Sequence, residues 1–114
     1  MKKIFLFLAA VTALISIAIT AKAQSGDVGA GKAKYEQLCV TCHGPSGKGD
    51  GPVGSSLNPK PKDLSKTAKS DADLKKTITQ GGAATGLSPV MPAWGALLKE
   101  QEVSNIIAYI RTLK

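Results

Sequence analysis

An all-α domain is the fold class this sequence predicts, and three observations predict it. Val103, Ile106, Ile107, Ile110 and Leu113 recur at helical spacing between Glu100 and Leu113 and make one apolar stripe. Val28, Gly31, Tyr35 and Leu38 fall on one face in the same way. No segment alternates apolar and polar residues as a half-buried strand does.

The chain starts with Lys2 and Lys3, an uncharged, mainly apolar run from Ile4 to Ala21, and then Ala21-Lys22-Ala23. A basic start, an apolar middle and a small-residue exit describe a secretory signal. Cleavage is expected after Ala23, which leaves one domain, Gln24–Lys114. The competing reading is an uncleaved anchor, but Thr12, Ser16 and Thr20 interrupt a run already at the lower limit for a span.

The first helix is expected from Asp27 to Leu38, with Asp27 as N-cap or first-turn acid. Glycine and proline then dominate Gly44 to Leu64, so this stretch reads as loop. Ser70-Asp71-Ala72-Asp73 has the form of a capping box. It starts a short helix carrying Leu74 and Ile78, which Gly81-Gly82 ends. Gly86 to Gly95 is loop again. The last helix spans Glu100 to Leu113, with acids in its first turn and Arg111 and Lys114 in its last. Lys99 is a poor N-cap for it.

Removing residues 1–23 takes away both phenylalanines, Phe5 and Phe7, and leaves Tyr35, Trp94 and Tyr109 as the aromatics. So small a domain is short of core and needs another body to close around. Lys2, Lys3 and Lys22 leave as well, which takes the formal charge from +7 to +4. That moderate excess suits an acidic protein surface. Nucleic acid is excluded as a partner, since the chain lacks the interleaved aromatics of a single-strand binder.

Cys39-Val40-Thr41-Cys42-His43 supplies the missing body. Two thiols separated by two residues can reach two vinyl groups on one porphyrin edge. The adjoining histidine is carried under the ring by the same turn. The motif therefore reads as covalent attachment of one haem, with Cys39 and Cys42 as anchors and His43 as iron ligand. A structural zinc site wants four ligands, and adjacent Cys42 and His43 do not suit a closed tetrahedron. A thioredoxin-like pair expects a βαβ unit, which is missing from the pattern.

A second axial ligand must come from far along the chain. Met91 is the only methionine after the signal, in Ser88-Pro89-Val90-Met91-Pro92-Ala93-Trp94-Gly95. A thioether favours the ferrous state, and flanking prolines keep it aimed. The competing readings are a gap-filling core methionine and an open or lysine-ligated iron. A metal-bound histidine usually fixes its other nitrogen on an acceptor. The Pro52 carbonyl is the expected one, with Pro59 or Pro61 as alternatives. Trp94 either packs on the haem, bonds a propionate or simply fills space beside Met91.

These segments together resemble a class I monohaem cytochrome c. The resemblance rests on Gly31 and Tyr35, Cys39 to His43, and Gly47-Lys48-Gly49-Asp50-Gly51-Pro52. It continues through Leu57 to Leu64, Met91-Pro92-Ala93-Trp94 and Ala108-Tyr109-Ile110-Arg111. It implies the small cytochrome c fold, with three to five short helices wrapped around one haem. The N- and C-terminal helices should cross, with Gly31 near Tyr109. It also implies His43 and Met91 as axial ligands and electron exchange through a partly exposed haem edge.

The expected function is a monomeric, soluble, periplasmic single-electron carrier. It is not an enzyme, because both axial positions are filled and no second histidine can act as acid or base. The alternatives are a haem-bearing subunit of a larger periplasmic oxidoreductase and a gas sensor in which Met91 detaches. Membrane attachment is expected only if the N-terminal segment stays. The Lys60–Lys76 stretch, with Lys62, Lys66, Lys69 and Lys75, is either a solvated surface or a steering patch for redox partners. Those partners would be a donor dehydrogenase or reductase complex and an acceptor oxidase or reductase. Gly49 to Gly54 fits G-x-G-x-x-G but follows no strand, so a loop beside the haem is expected, not a dinucleotide site.

Overall fold

Asp27 caps the first helix with its own side chain: Oδ1 accepts from the Ala30 N–H at 3.0 Å. The computed structural model describes residues 25–114, so the signal or anchor expected over residues 1–23 lies outside the described residues. Four α-helices are present among them: α1 (Val28–Leu38), α2 (Val40–His43), α3 (Asp71–Gln80) and α4 (Glu100–Ile110). Three short 3₁₀ turns, Gly54–Ser56, Leu64–Lys66 and Gly82–Thr85, punctuate the loops. The described residues contain no strand.

α3 starts and stops where the sequence places it. Ser70 Oγ accepts from the Asp73 N–H at 3.1 Å, and Gly81 ends the helix with φ of 87°. α4 is shorter at its C-terminus than the apolar stripe. It ends at Ile110, and a turn follows in which the Leu113 N–H donates to the Ile110 carbonyl at 3.1 Å. At its start the Glu102 carboxylate accepts from the Lys99 N–H at 3.1 Å. Lys99 cannot return a side-chain acceptor, so half of the capping interaction is made.

α1 and α4 cross where Gly31 meets the backbone of Asn105 and Ile106. A Cβ at Gly31 would collide with the Asn105 carbonyl. This corrects the expected contact of Gly31 with Tyr109. Tyr109 instead meets Tyr35 edge-on, with ring centroids 5.1 Å apart and planes at 62°. The physical reason is helical rise: Tyr35 lies one turn beyond Gly31, and Tyr109 one turn beyond Asn105. The buried Asn105 side chain accepts from the Asp27 N–H at 2.8 Å, tying the start of α1 to α4.

The core comprises Tyr35, Leu74, Ile78, Leu98, Val103, Ile106, Ile107 and Ile110. Half of it comes from α4, which packs between α1 and α3. Arg111 holds the start of α3 in place. Its Nε and Nη2 donate to Asp71 Oδ1 at 2.9 and 2.7 Å, and Nη2 also donates to the Lys69 carbonyl at 2.6 Å. One side of this small core stays open, and there the cavity lies.

Candidate functional site

α2 is one helical turn, set off from α1 at Cys39. The turn brings Cys39, Cys42 and His43 to the wall of a single cavity of about 820 Å³. The sequence predicts a turn here, and the structure makes it helical: the His43 N–H donates to the Cys39 carbonyl at 2.9 Å. Met91, from the far end of the chain, lines the same cavity. Leu38, Leu74, Ile78 and Ile110 supply apolar wall from α1, α3 and α4, and Trp94 joins them.

Two loops close around α2. The Gly49 N–H donates to the His43 carbonyl at 2.8 Å, and Val53 donates to Thr41 at 3.0 Å. A Cβ at Gly54 would collide with the Cys42 carbonyl. Gly51 and Gly54 of the G-x-G-x-x-G stretch thus serve close approach to the C-x-x-C-H turn, as a loop beside the site would, and Gly49 packs against the Pro61 carbonyl. Leu64 then ties back to Gly47, its N–H donating to that carbonyl at 2.6 Å.

The acceptor for His43 differs from the one expected. His43 Nδ1 lies 3.1 Å from the Lys62 carbonyl, and Pro52 is not its partner. Pro52 belongs to the loop packed behind α2, in the Gly51–Val53 bend that hydrogen-bonds back onto Cys42 and Thr41. The Pro59-Lys60-Pro61-Lys62 segment instead crosses in front, along the cavity. Of the alternatives, Pro61 is one residue short. Proline has no N–H but an ordinary carbonyl, so nothing in the side chain selects it as acceptor. Asp63 holds this segment: Oδ1 accepts from the Ser65 N–H at 3.0 Å and from its hydroxyl at 2.5 Å. The Asp63-Leu64-Ser65 pattern was a readable turn signal for this role.

With Nδ1 on a carbonyl, Nε2 is the His43 nitrogen left for a metal. Burial lowers the pKa of His43, and the Lys62 hydrogen bond opposes this in part. Neutral imidazole, the ligating form, is thereby favoured. Burial first, and Cys42 beside it second, push the Cys39 thiol up to about 11.

The residues present fit a haem. The cavity has the volume of cofactor sites, which run from ~300 to 1,000 Å³. Its wall is apolar, and the soft and imidazole donors it holds are the set that suits haem iron. Four lysines, Lys60, Lys62, Lys66 and Lys69, contribute to the rim, with Asp63 and Asp73 as the acids. Trp94 is partly buried against the core, and its backbone N–H donates to the Ile78 carbonyl at 2.9 Å.

The fold and cavity define a class: a small all-α domain whose short helices and loops close around one cofactor, with a C-x-x-C-H turn in the cavity wall. The family described as cytochrome c oxidase, cbb3-type, subunit III matches residues 26–110. Cytochrome c-554(547) of Halothiobacillus neapolitanus is 34% identical over 92 residues, which cover 79% of this chain and all of that protein. Cytochrome c6 of Rippkaea orientalis is 32% identical over 113 residues, 96% of this chain and 92% of that protein. The cbb3-type oxidase subunit FixP of Bradyrhizobium sp. strain ORS 278 is 33% identical over 91 residues, but the chain spans only 29% of its length. The Kuenenia stuttgartiensis reducing HAO-like protein complex Kustc0457/Kustc0458 shares the fold, with TM-score 0.64 at 24% identity. The alignment covers 76% of this chain and 42% of the matched one.

The chain belongs to the class I monohaem cytochrome c family. It is an electron-transfer protein with covalently bound haem c.

Proposed function

We propose that this chain is a periplasmic carrier of single electrons, exported by a signal cleaved after Ala23. Cys39 and Cys42 anchor the haem, and His43 and Met91 are its axial ligands. The observation that carries this reading is the meeting of all four side chains at one cavity, although Met91 lies 48 residues from His43. Haem c, when bound, supplies an iron that exchanges one electron between its ferric and ferrous states. The protein's own contribution is rigidity. Lys62 orients His43 through its carbonyl, and the prolines around Met91 limit its movement. Leu38, Leu74, Ile78 and Ile110 exclude water from one side of the pocket. A site that reorganises little costs little when the charge on the iron changes.

No helix among the described residues is long and apolar enough to cross a membrane. Docking on redox partners is assigned to Lys60, Lys62, Lys66 and Lys69 at the cavity rim, where steering would act closest to the cofactor. Lys75, from the same basic stretch, is instead ion-paired with Glu100.

The decisive experiment is the pyridine haemochrome and ferric spectrum of the mature protein beside Met91→Ala. A c-type haem and a weak far-red Met–Fe(III) band are expected, with the band lost on substitution. A band that survives the substitution overturns Met91 as ligand.

A second reading, a haem-bearing subunit of a larger oxidoreductase, is favoured by the matches to FixP and by the cbb3-type family description. Size measured after gentle extraction separates the two. A carrier runs near its own mass, and a subunit runs with its complex.

A further inference from the structure

The segment from Gly82 to Gly95, which carries Met91, is fastened to α3 at three points. Two are backbone hydrogen bonds: the Trp94 N–H donates to Ile78 at 2.9 Å, and the Gly95 N–H donates to Thr79 at 3.1 Å. The third uses side chains: Thr77 Oγ1 of α3 lies 2.9 Å from Thr85 Oγ1 of the Gly82–Thr85 turn. Among the described residues it is the side-chain hydrogen bond that links this segment to α3. Within the segment, the Gly82 N–H donates to the Met91 carbonyl at 3.0 Å.

Counting protons shows why this contact is made. Thr77 Oγ1 also lies 3.0 Å from the Asp73 carbonyl, and Thr85 Oγ1 lies 3.3 Å from the Gly82 carbonyl. Two hydroxyl protons serve three contacts. If Thr77 donates to Asp73, Thr85 donates to Thr77. If Thr85 donates to Gly82, Thr77 donates to Thr85. Of the other two arrangements, one leaves the hydroxyl oxygens 2.9 Å apart with no proton between them and the other crowds both protons into the contact, and both are repulsive. The inter-threonine bond therefore survives in both favourable arrangements.

Thr77 is 9% exposed and lines the haem cavity, so water competes weakly for its hydroxyl. Gly82 connects the pair to the ligand. Its carbonyl accepts from the Leu87 N–H at 2.8 Å as its N–H donates to Met91. A Cβ at Gly82 would collide with the Ser88 carbonyl, so the loop presses directly on this turn.

We propose that Thr77 and Thr85 are positioning residues for the sixth ligand. Their hydroxyl bond locks the Gly82–Thr85 turn to α3, and the turn holds Met91 toward the iron through Gly82. This rests on Met91 being the axial ligand. Without the bond the loop swings out more readily, and an external ligand replaces Met91 more easily.

The test is imidazole titration of ferric holoprotein, followed by loss of the far-red band, in wild type, Thr85→Val, Thr77→Val and Thr85→Ser. Loss of one part-buried hydrogen bond, roughly 1 kcal/mol, raises the apparent imidazole affinity about five- to tenfold in each Val variant. Thr85→Ser, which keeps the hydroxyl, returns it to within about twofold of wild type. Thermal melting of the same proteins separates positioning from plain stability. A lowered Tm with unchanged imidazole affinity in Thr85→Val overturns the proposal, even if Thr77→Val fails to fold. A wild-type band that is absent, or that survives Met91→Ala, overturns the ligand assignment and this inference with it. A present and Met91-dependent band with unmoved titrations overturns this inference alone.

Discussion

His43 Nδ1 and the Lys62 carbonyl oxygen lie 3.1 Å apart, across 19 residues of chain, and Asp63 stabilises the turn that makes this possible. The acceptor is a backbone atom, so replacing the Lys62 side chain leaves it in place. Lys62→Ala is expected to keep the haem spectrum and to weaken only the salt-dependent association with an acidic redox partner. Asp63→Ala acts on the turn instead. It is expected to lower Tm and broaden the His43 ring resonances in NMR spectra of the ferrous protein. Unchanged resonances would show that the turn holds itself.

Gly31 and Gly29 share a helix and should respond oppositely to the same substitution. A Cβ at Gly31 meets the Asn105 backbone, which cannot move aside without parting α1 from α4. Gly31→Ala is expected to destabilise the holoprotein by about 1–3 kcal/mol in denaturant unfolding. A Cβ at Gly29 finds its nearest atom, Asp27 Oδ1, at 3.4 Å. Gly29→Ala is expected to stabilise by roughly 0.4–1 kcal/mol through the unfolded chain.

Tyr35 is fully buried, and its hydroxyl donates to the Gly44 carbonyl at 2.7 Å, just past the C-x-x-C-H turn. Burial raises its pKa first, with lesser contributions from Cys39, Tyr109 and Asp50, so the phenol stays protonated. Tyr35→Phe removes the donor, but the Gly44 carbonyl still accepts from the Gly47 N–H at 3.1 Å. The expected loss is therefore about 1 kcal/mol, the low end for a buried hydrogen bond, read from the shift in denaturant midpoint.

Acid should loosen the fold through three carboxylates. Ser65 holds the pKa of Asp63 down, Lys75 that of Glu100, and Lys34 with the Lys99 N–H that of Glu102. A lowered folded pKa means that the unfolded chain takes up the proton first. Their contribution is complete above the usual carboxylate range and is lost as pH falls through the lowered values. Glu100 is exposed and Asp63 and Glu102 are half-buried at the surface, so the effect is modest and shrinks with salt. Tm measured from pH 6 downward should fall less steeply in Glu102→Gln than in wild type.

Removing the haem should remove the fold. Eight side chains make up the buried apolar core, and the cavity beside it is lined by Leu38, Leu74, Ile78 and Ile110. A Cys39→Ser/Cys42→Ser chain made without haem is expected to lose most of its helical circular dichroism and to melt without a cooperative transition. A sharp melt would show that the eight residues suffice.

The sequence alone determined much of this protein, because those parts rest on local chemistry. α3 follows from Ser70 and Gly81, each of which acts on its own neighbours. α4 follows from a period of apolar residues, and the attachment turn from the spacing of Cys39, Cys42 and His43. Met91 stood out because it is the one methionine after Met1. Tertiary structure decided what depends on distance in space. The His43 acceptor is a carbonyl, a group every residue carries, so no side chain could single out Lys62 over Pro52. The Gly31 contact moved from Tyr109 to Asn105 because one helical turn along α4 is settled only when the helices pack. Thr77 and Thr85 carry no signal in the sequence, and only the fold brings their hydroxyls to 2.9 Å.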